Sequence, residues 1–475
     1  MNYYQDLRAH IKALEEKGKL VRIKREINKD TELHPLVRWQ FRGLPEAQRK
    51  AFLFENVVDS TGRKYSIPVL VASHAASREV YAIAMMCQPG EIMARWTQAQ
   101  LHPIEPEIVS AGPVQDEIHR GDKLLEHGGL EEFPIPISTP GFDNAPYLTA
   151  ANFITTDPET GIRNVGNYRA MLKSKDRLGV CGEPPQHIHN HWQKCRARGI
   201  PLQAAIALGA PPNIGLAATA KIPYGTDEFA VAGGIAGYPV KLVKCQTVDL
   251  EVPATAEIVI EGEIPTNALE REAPFGEFAG YMGSEKLNLF FNVKCVTHRH
   301  RPIFNAFLSQ FPPSESSKLR QINSESIYFK FLKHDCNIPG IIDVAFHESS
   351  GSANYVVIRM KKTHPSQAWQ ALNGAVALDG QSTKFIIVVD EDIDPWDPDS
   401  VNWAMSFRVQ PHRDTRITTG KIPSLDPSAN PPWVQDVGYM NTVASAILID
   451  ATRKWAYPPV SLPRKEFMER SKVIW

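Results

Sequence analysis

The sequence predicts a multidomain α+β fold, and three observations carry that reading. The chain has 475 residues, enough for several hydrophobic cores and for two or three domains. Residues 145–310 read as extended apolar segments separated by Gly and Pro turns. After residue 310 the order becomes strand, helix, strand, the signature of an α/β unit.

From the start, Leu7, Ile11, Leu14 and Leu20 recur among charged residues and predict an amphipathic helix within 1–21. Lys19 to Ile23 and Pro68 to Val71 read as strands, and Ser77 to Met86 has helical spacing. Residues 100–145 are rich in Pro, Gly and acidic residues and read as a connection. Strands are expected at Tyr147 to Thr155, Ala204 to Leu208, Val240 to Lys244, Ala256 to Glu261 and Leu289 to Thr297. In the last part, Ser324 to Lys333 is expected as a helix with Ser324 near its start. Tyr355 to Met360 is expected as a strand, Pro365 to Leu372 as a helix ending near Gly374, and Phe385 to Val389 as a strand. A proline-rich stretch with Pro423, Pro427, Pro431 and Pro432 reads as a covering loop. The tail from Pro458 is charged and amphipathic, suited to docking on a neighbouring domain or subunit.

Composition excludes several classes. Fifty-two basic and 53 acidic residues give a net charge of −1, so there is no broad field for nucleic acid. No secretory prefix and no window of about 18 apolar residues is present, which argues against export and membrane spanning. Cys87, Cys181, Cys195, Cys245, Cys295 and Cys336 lie far apart with no CxxC pair, as expected of reduced thiols in a cytoplasmic protein.

Four segments hold the informative polar groups. In Asn164-Val165-Gly166-Asn167-Tyr168-Arg169, the asparagine offers a carbonyl oxygen to a metal and the arginine a fork for a carboxylate. They are five apart, so an ideal strand would point them to opposite faces; either the segment bends or the two serve different ends of one ligand. Pro184 and Pro185 suit a helix start, which sets His187 and His191 on one face. Zinc held by these histidines and Cys195 is an alternative that no CxxC element supports. Thr226 or Asp227 can cap a short helix with Glu228 in its first turn. Asn164, His187 and Glu228 together would make an N/O site for manganese, magnesium or iron, against the plainer reading of turn, surface and capping residues. In Glu272-Ala273-Pro274-Phe275-Gly276-Glu277, Pro274 and Gly276 should bend the backbone and bring both acids toward one pocket, where Arg169 would offset their charge.

The ordered set NVGNYR, PPQHI, the Glu228 helix, VKCQTVDLEVPATAEIVIEGE, EREAPFGEFAGY, KFIIVVDEDID and DATRKW resembles the UbiD-like family of reversible aromatic and acrylic acid decarboxylases. The resemblance implies a central flavin-binding domain of split β-barrel character with flanking α/β domains. The expected divisions are 1–120, 121–310, 311–455 and an oligomerisation tail at 456–475, in a homodimer or homohexamer. It implies prenylated FMN supplied by a separate flavin prenyltransferase, a divalent metal, commonly Mn(2+), and K(+). Carried onto this chain, the metal ligands fall on Asn164, His187 and Glu228, and the catalytic network on Arg169, Glu272 and Glu277, with Glu277 as proton donor. Ala218, Thr219 and Ala220 fall in the phosphate and potassium region, with Lys384 and Arg408 as further cofactor contacts. Phe311, Leu425 and Trp433 are assigned to a hydrophobic closing surface. Lys221-Ile222-Pro223 departs from the acrylic branch, placing the chain nearer the aromatic acid members. The reaction implied is exchange of an aromatic or heteroaromatic carboxylic acid with carbon dioxide or bicarbonate. A metal-dependent hydrolase and an ordinary FMN redox enzyme are the alternatives.

Overall fold

A computed structural model describes residues 3–378, 380–381, 383–422, 425–429 and 444–474. The architecture is multidomain α+β, with three main sheets.

The first sheet has four strands in the order Leu20–Ile23, Ala51–Phe54, Val69–Val71, Phe304–Ala306. Its last strand returns from residue 304 and lies parallel to Val69–Val71. The amphipathic helix Leu7–Glu16 buries Leu7, His10, Ile11 and Leu14 and ends before Leu20. The expected strand at 19 therefore terminates the expected helix. Helix Arg78–Met85 is capped by Ser77, whose side chain accepts from the Val80 amide.

The central sheet has ten strands. Its main path runs Arg163–Asn167, Asn152–Thr156, Leu202–Leu208, Ile258–Ile264, Lys286–His298, Arg177–Val180, Ala170–Ser174, Tyr147–Leu148, antiparallel throughout. Glu117–Arg120 and Glu270–Glu272 add onto the long strand Lys286–His298. Its apolar residues feed two large cores on opposite faces: Phe153 and Ile206 point to one, Ile154, Ala205 and Ala207 to the other. The expected single strand Tyr147 to Thr155 is two strands, because the chain breaks at Thr149–Ala151 and the halves join different ends of the path. Every residue of that stretch is buried, so hydrophobicity carries no mark of the break.

The third sheet has the order Ile341–Phe346, Tyr355–Met360, Phe385–Asp390, Ala444–Ala451, Thr415–Lys421, with its three inner strands parallel. Successive residues serve opposite faces. Val356 and Ile358 pack under helix Ser366–Leu378, while Val357 and Ile387 pack with Val401 and Ala404 of helix Pro398–Arg408. Gly374 does not end the first of these helices. It lies inside it, where a Cβ would come within 2.8 Å of the Leu332 side chain, so glycine permits close packing there.

The central and third sheets are joined by helix Glu315–Lys330. Leu319 and Ile322 belong to a central core and Tyr328 to the third. The expected start at Ser324 is corrected to Ser314, whose side chain and that of Ser317 form a reciprocal cap. The cause of the misreading is that this helix buries polar residues. Glu315 accepts from the amides of Ala72 (2.9 Å), His74 (3.1 Å) and Leu308 (3.2 Å). Among the described residues no helix is long and apolar enough to cross a membrane.

Candidate active site

The first polar group is assembled by a cap. Asp227 accepts from the Phe229 amide at 2.8 Å and so starts helix Glu228–Ala236. The same carboxylate receives Nε and Nη2 of Arg163 at 2.9 and 2.7 Å, tying the helix start to strand Arg163–Asn167. Glu228 is thereby held beside that strand, and its Oε2 accepts from the Val165 amide at 2.7 Å. From the other side, helix His187–Ala197 begins at His187, just after the two prolines. His187 Nδ1 lies 2.9 Å from Asn164 Oδ1 and 3.9 Å from Glu228 Oε1. Asn164, His187 and Glu228 are thus brought together.

Burial pushes the Glu228 carboxyl up to about 8 and the His187 imidazole down. A buried carboxyl that resists ionisation, a neutral imidazole and an amide oxygen fit a divalent cation, which would remove the penalty on ionised Glu228. Beside these residues lies a small open hollow lined by Asn164, His187, His191, Tyr224 and Thr226 among others. His191 shares the helix face as expected, but its Nδ1 is engaged by Thr155 Oγ1 at 2.9 Å, and Cys195 is buried in an apolar core.

The second group centres on Arg169. After Asn167 the chain leaves one strand and enters Ala170–Ser174 on the far side of the sheet path, so the segment bends. Asn164 and Arg169 consequently serve separate clusters. Arg169 Nε and Nη2 meet the two oxygens of Glu272 at 2.9 and 3.0 Å, a bidentate fork, and Nη1 contacts Glu277 Oε1. Glu272 and Glu277 are both buried, and the guanidinium lies 5.2 Å from the centre of the Phe275 ring. The fork and the Nη1 contact offset the charge of the two buried acids.

Glu272 ends strand Glu270–Glu272, and Glu277 follows the short strand Phe275–Gly276, which folds back on Met282–Gly283. The turn between the acids contains a cis Ala273–Pro274 peptide. Buried Tyr147 clamps it: its hydroxyl accepts from the Ala273 amide at 3.1 Å and donates to the Pro274 carbonyl at 3.3 Å. Tyr147 was not singled out in the sequence; a tyrosine in an apolar run reads as core. Tyr168 was also passed over. Its ring crosses over Gly166, where any Cβ would collide with it, and its hydroxyl hydrogen-bonds Asn164. The signal was present, since Gly166 and Tyr168 sit inside NVGNYR. Asp143 is a third, pushed up to about 6 by burial, with its Oδ2 accepting from the Thr139 amide at 2.6 Å.

The remaining sequence-derived residues lie elsewhere. Ala218, Thr219 and Ala220 close helix Pro212–Thr219, where the Thr219 hydroxyl donates to Gly215 O and accepts from Asn323 Nδ2 at 3.0 Å. Lys384 Nζ bonds Asp426 and Ser428, both at 2.7 Å. Arg408 is buried between Asp390 and Asp392. Both stand in the third-sheet region, and among the described residues neither pairs with a member of either cluster. Phe311 packs against Gly280, in the loop after Glu277, and is 53% exposed beneath Arg42. Leu425 is half-buried with a φ of 51°, and Trp433 lies outside the described residues.

This α+β chain thus gathers Asn164, His187 and Glu228 in one cluster and holds buried Arg169 between Glu272 and Glu277 in another. The chain matches the 3-octaprenyl-4-hydroxybenzoate carboxy-lyase N-terminal domain over residues 11–100, the Rift-related domain over 107–311 and the C-terminal domain over 321–451. It is 32% identical to an uncharacterised protein of Aquifex aeolicus, covering 99% of this chain and 98% of the relative. An evolved dimeric form of the UbiD-class enzyme HmfF from Pelotomaculum thermopropionicum, in complex with prFMN, superimposes with a TM-score of 0.83 at 31% identity, over 99% of this chain and 100% of that one. The vanillic acid decarboxylase of Sedimentibacter hydroxybenzoicus in closed form gives 0.86 at 27% identity, over 100% and 99%. The chain belongs to the UbiD family, and it is a UbiD-class carboxy-lyase that catalyses non-oxidative decarboxylation.

Proposed function

We propose that this chain catalyses the reversible, non-oxidative decarboxylation of an aromatic or heteroaromatic carboxylic acid on prenylated FMN. The observation that carries the reading is the fork of Arg169 on Glu272, with Glu277 on its remaining nitrogen. The HmfF structure in complex with prFMN and the vanillic acid decarboxylase supply the cofactor and the substrate class by likeness.

Loss of carbon dioxide leaves an electron pair on carbon. Prenylated FMN, when bound, supplies the electron sink that carboxylates cannot. Glu272 fixes the guanidinium plane through two parallel hydrogen bonds. Arg169 orients the substrate carboxylate and balances the acids. Glu277 returns a proton to the carbon that carbon dioxide has left. Asn164, His187 and Glu228 would hold a divalent cation, Mn(2+) in this proposal, and Ala218, Thr219 and Ala220 would line the K(+) and phosphate region. Lys384, Arg408, Phe311 and Leu425 would contribute on closure of the third-sheet region, which would exclude water.

The ten-stranded sheet fills the place of the split β-barrel in this proposal, within the divisions 1–120, 121–310, 311–455 and 456–475. Helix Lys465–Lys472 buries none of its residues, and Phe467, Met468, Val473 and Ile474 are exposed, which supports a tail that docks on a second copy in a homodimer or homohexamer. Six free cysteines support a reducing, cytoplasmic setting, where a flavin prenyltransferase supplies the cofactor.

The test is anaerobic expression with and without a flavin prenyltransferase, followed by a screen of aromatic acids for carbon dioxide release and bicarbonate exchange. Turnover that depends on the prenyltransferase is expected. Equal turnover without it contradicts the proposal.

A further inference from the structure

Away from both clusters, strand Glu117–Arg120 and the end of Lys286–His298 gather a second set of imidazoles. His119 pairs across the ladder with Val296, and His298 is paired with Glu117 two steps along. One ligand atom from each of His119, Glu132 and His298 lies within 4.8 Å of the others. His119 Nδ1 stands 3.5 Å from Glu132 Oε2. The His298 ring meets His119 edge-on at 5.1 Å, and the exposed His127 ring tilts over His119 at 4.8 Å.

His298 decides the reading. Its Nδ1 lies 2.8 Å from the Arg299 carbonyl. A carbonyl only accepts, so Nδ1 carries the proton and Nε2 of the neutral ring presents a lone pair. That nitrogen is buried without any hydrogen-bond partner, in a residue only 6% exposed. Unpartnered buried polar atoms are rare in folded proteins and call for a specific cause. An ordinary imidazole–carboxylate contact explains His119 and Glu132 but leaves His298 Nε2 unanswered. A backbone carbonyl that orients an imidazole by its other nitrogen is the usual support of a metal-bound histidine.

We infer that His119, Glu132 and His298 form a second divalent metal site, sharing no residue with Asn164, His187 and Glu228, with His127 placed to supply a fourth ligand. Two or three imidazoles and one carboxylate, without thiolate, suit Zn²⁺ or Co²⁺ rather than Mg²⁺ or Ca²⁺. Metal–ligand lengths of about 2.0–2.2 Å place ligand atoms roughly 3.4 Å apart around a tetrahedral ion. Side-chain movement of about an ångström in Glu132 and His119 closes the set. The ion would clip the segment 117–132 onto the longest strand of the central sheet.

The test uses the full chain, stripped by chelator, in the Glu228→Gln background so that the other metal pocket is silenced. Co²⁺ is titrated and followed by its ligand-field absorption, then displaced with Zn²⁺. One saturable ion with a tetrahedral spectrum is expected, and adding His298→Gln should weaken it by about ten-fold or more. In the otherwise unchanged protein, His298→Gln should leave Mn²⁺ binding and decarboxylation as they were. Absence of a saturable ion, or equal affinity with and without His298→Gln, overturns the inference. If His298→Gln does not fold, Glu132→Gln on the partly exposed ligand gives the same reading.

Discussion

The two polar clusters of the central sheet bury carboxylates in opposite ways. Glu272 and Glu277 are matched by the guanidinium of Arg169. Glu228 faces the His187 imidazole and accepts from the Val165 amide, and burial lifts its pKa to about 8. In the first cluster one guanidinium bridges both acids and fixes their geometry. In the second, ionised Glu228 has no cationic side chain beside it among the described residues, and a bound cation would remove that penalty.

The largest effect should come from unbalancing the first cluster. Arg169→Met leaves two buried acids without their cation, which should abolish turnover and cost about 3–5 kcal/mol of stability. Chemical denaturation and carbon dioxide release check this, and a fully active variant would break the contrast. Glu228→Gln should next weaken Mn²⁺ binding by about 100-fold or more while Arg169 and its acids stay in place. Calorimetric titration reads it.

The pH dependence sharpens the same contrast. The Glu228 carboxyl is raised in the folded protein, so its favourable contribution is full below its unfolded value of about 4.5 and is lost as pH rises through about 8. The metal-free protein should therefore lose stability from this group across that window. Mn²⁺, which binds the ionised form, should raise the melting temperature more at pH 8 than at pH 6. A metal effect independent of pH would contradict the assignment. Tyr147→Phe should have the smallest effect. It removes both hydrogen bonds to the Ala273–Pro274 turn, costing about 1–2 kcal/mol. Turnover should fall more than substrate affinity, because the turn positions Glu277 without touching substrate.

The sequence made the long apolar strands legible, since near-continuous buried runs mark Tyr355–Met360 and Leu202–Leu208, while many shorter or more polar strands such as Ala170–Ser174 and Thr415–Lys421 carried no such run. It hid features where burial and polarity part company. The first turns of helix Glu315–Lys330 carry no clear apolar stripe, because Glu315, Lys318, Gln321 and Glu325 are polar, yet all are buried in specific partners. The break at 149–151 left no mark because its flanks are equally apolar. Asn164, His187 and Glu228 were grouped from ligand chemistry and motif order, but the cap and Arg163 bond that bring Glu228 to Asn164 required the fold. Tyr147 and Asp143 were missed because neither residue type is unusual where it stands.

The central claim is that Glu277 delivers the proton that replaces carbon dioxide. Its most direct test is turnover of the cofactor-loaded enzyme in deuterium oxide, with deuterium counted at the vacated carbon of the product, for the natural chain and for Glu277→Gln. The natural chain should place one deuterium there, and Glu277→Gln should bind cofactor and substrate yet nearly lose deuterated product. Product formation and deuteration by Glu277→Gln at near-normal rates would contradict the claim.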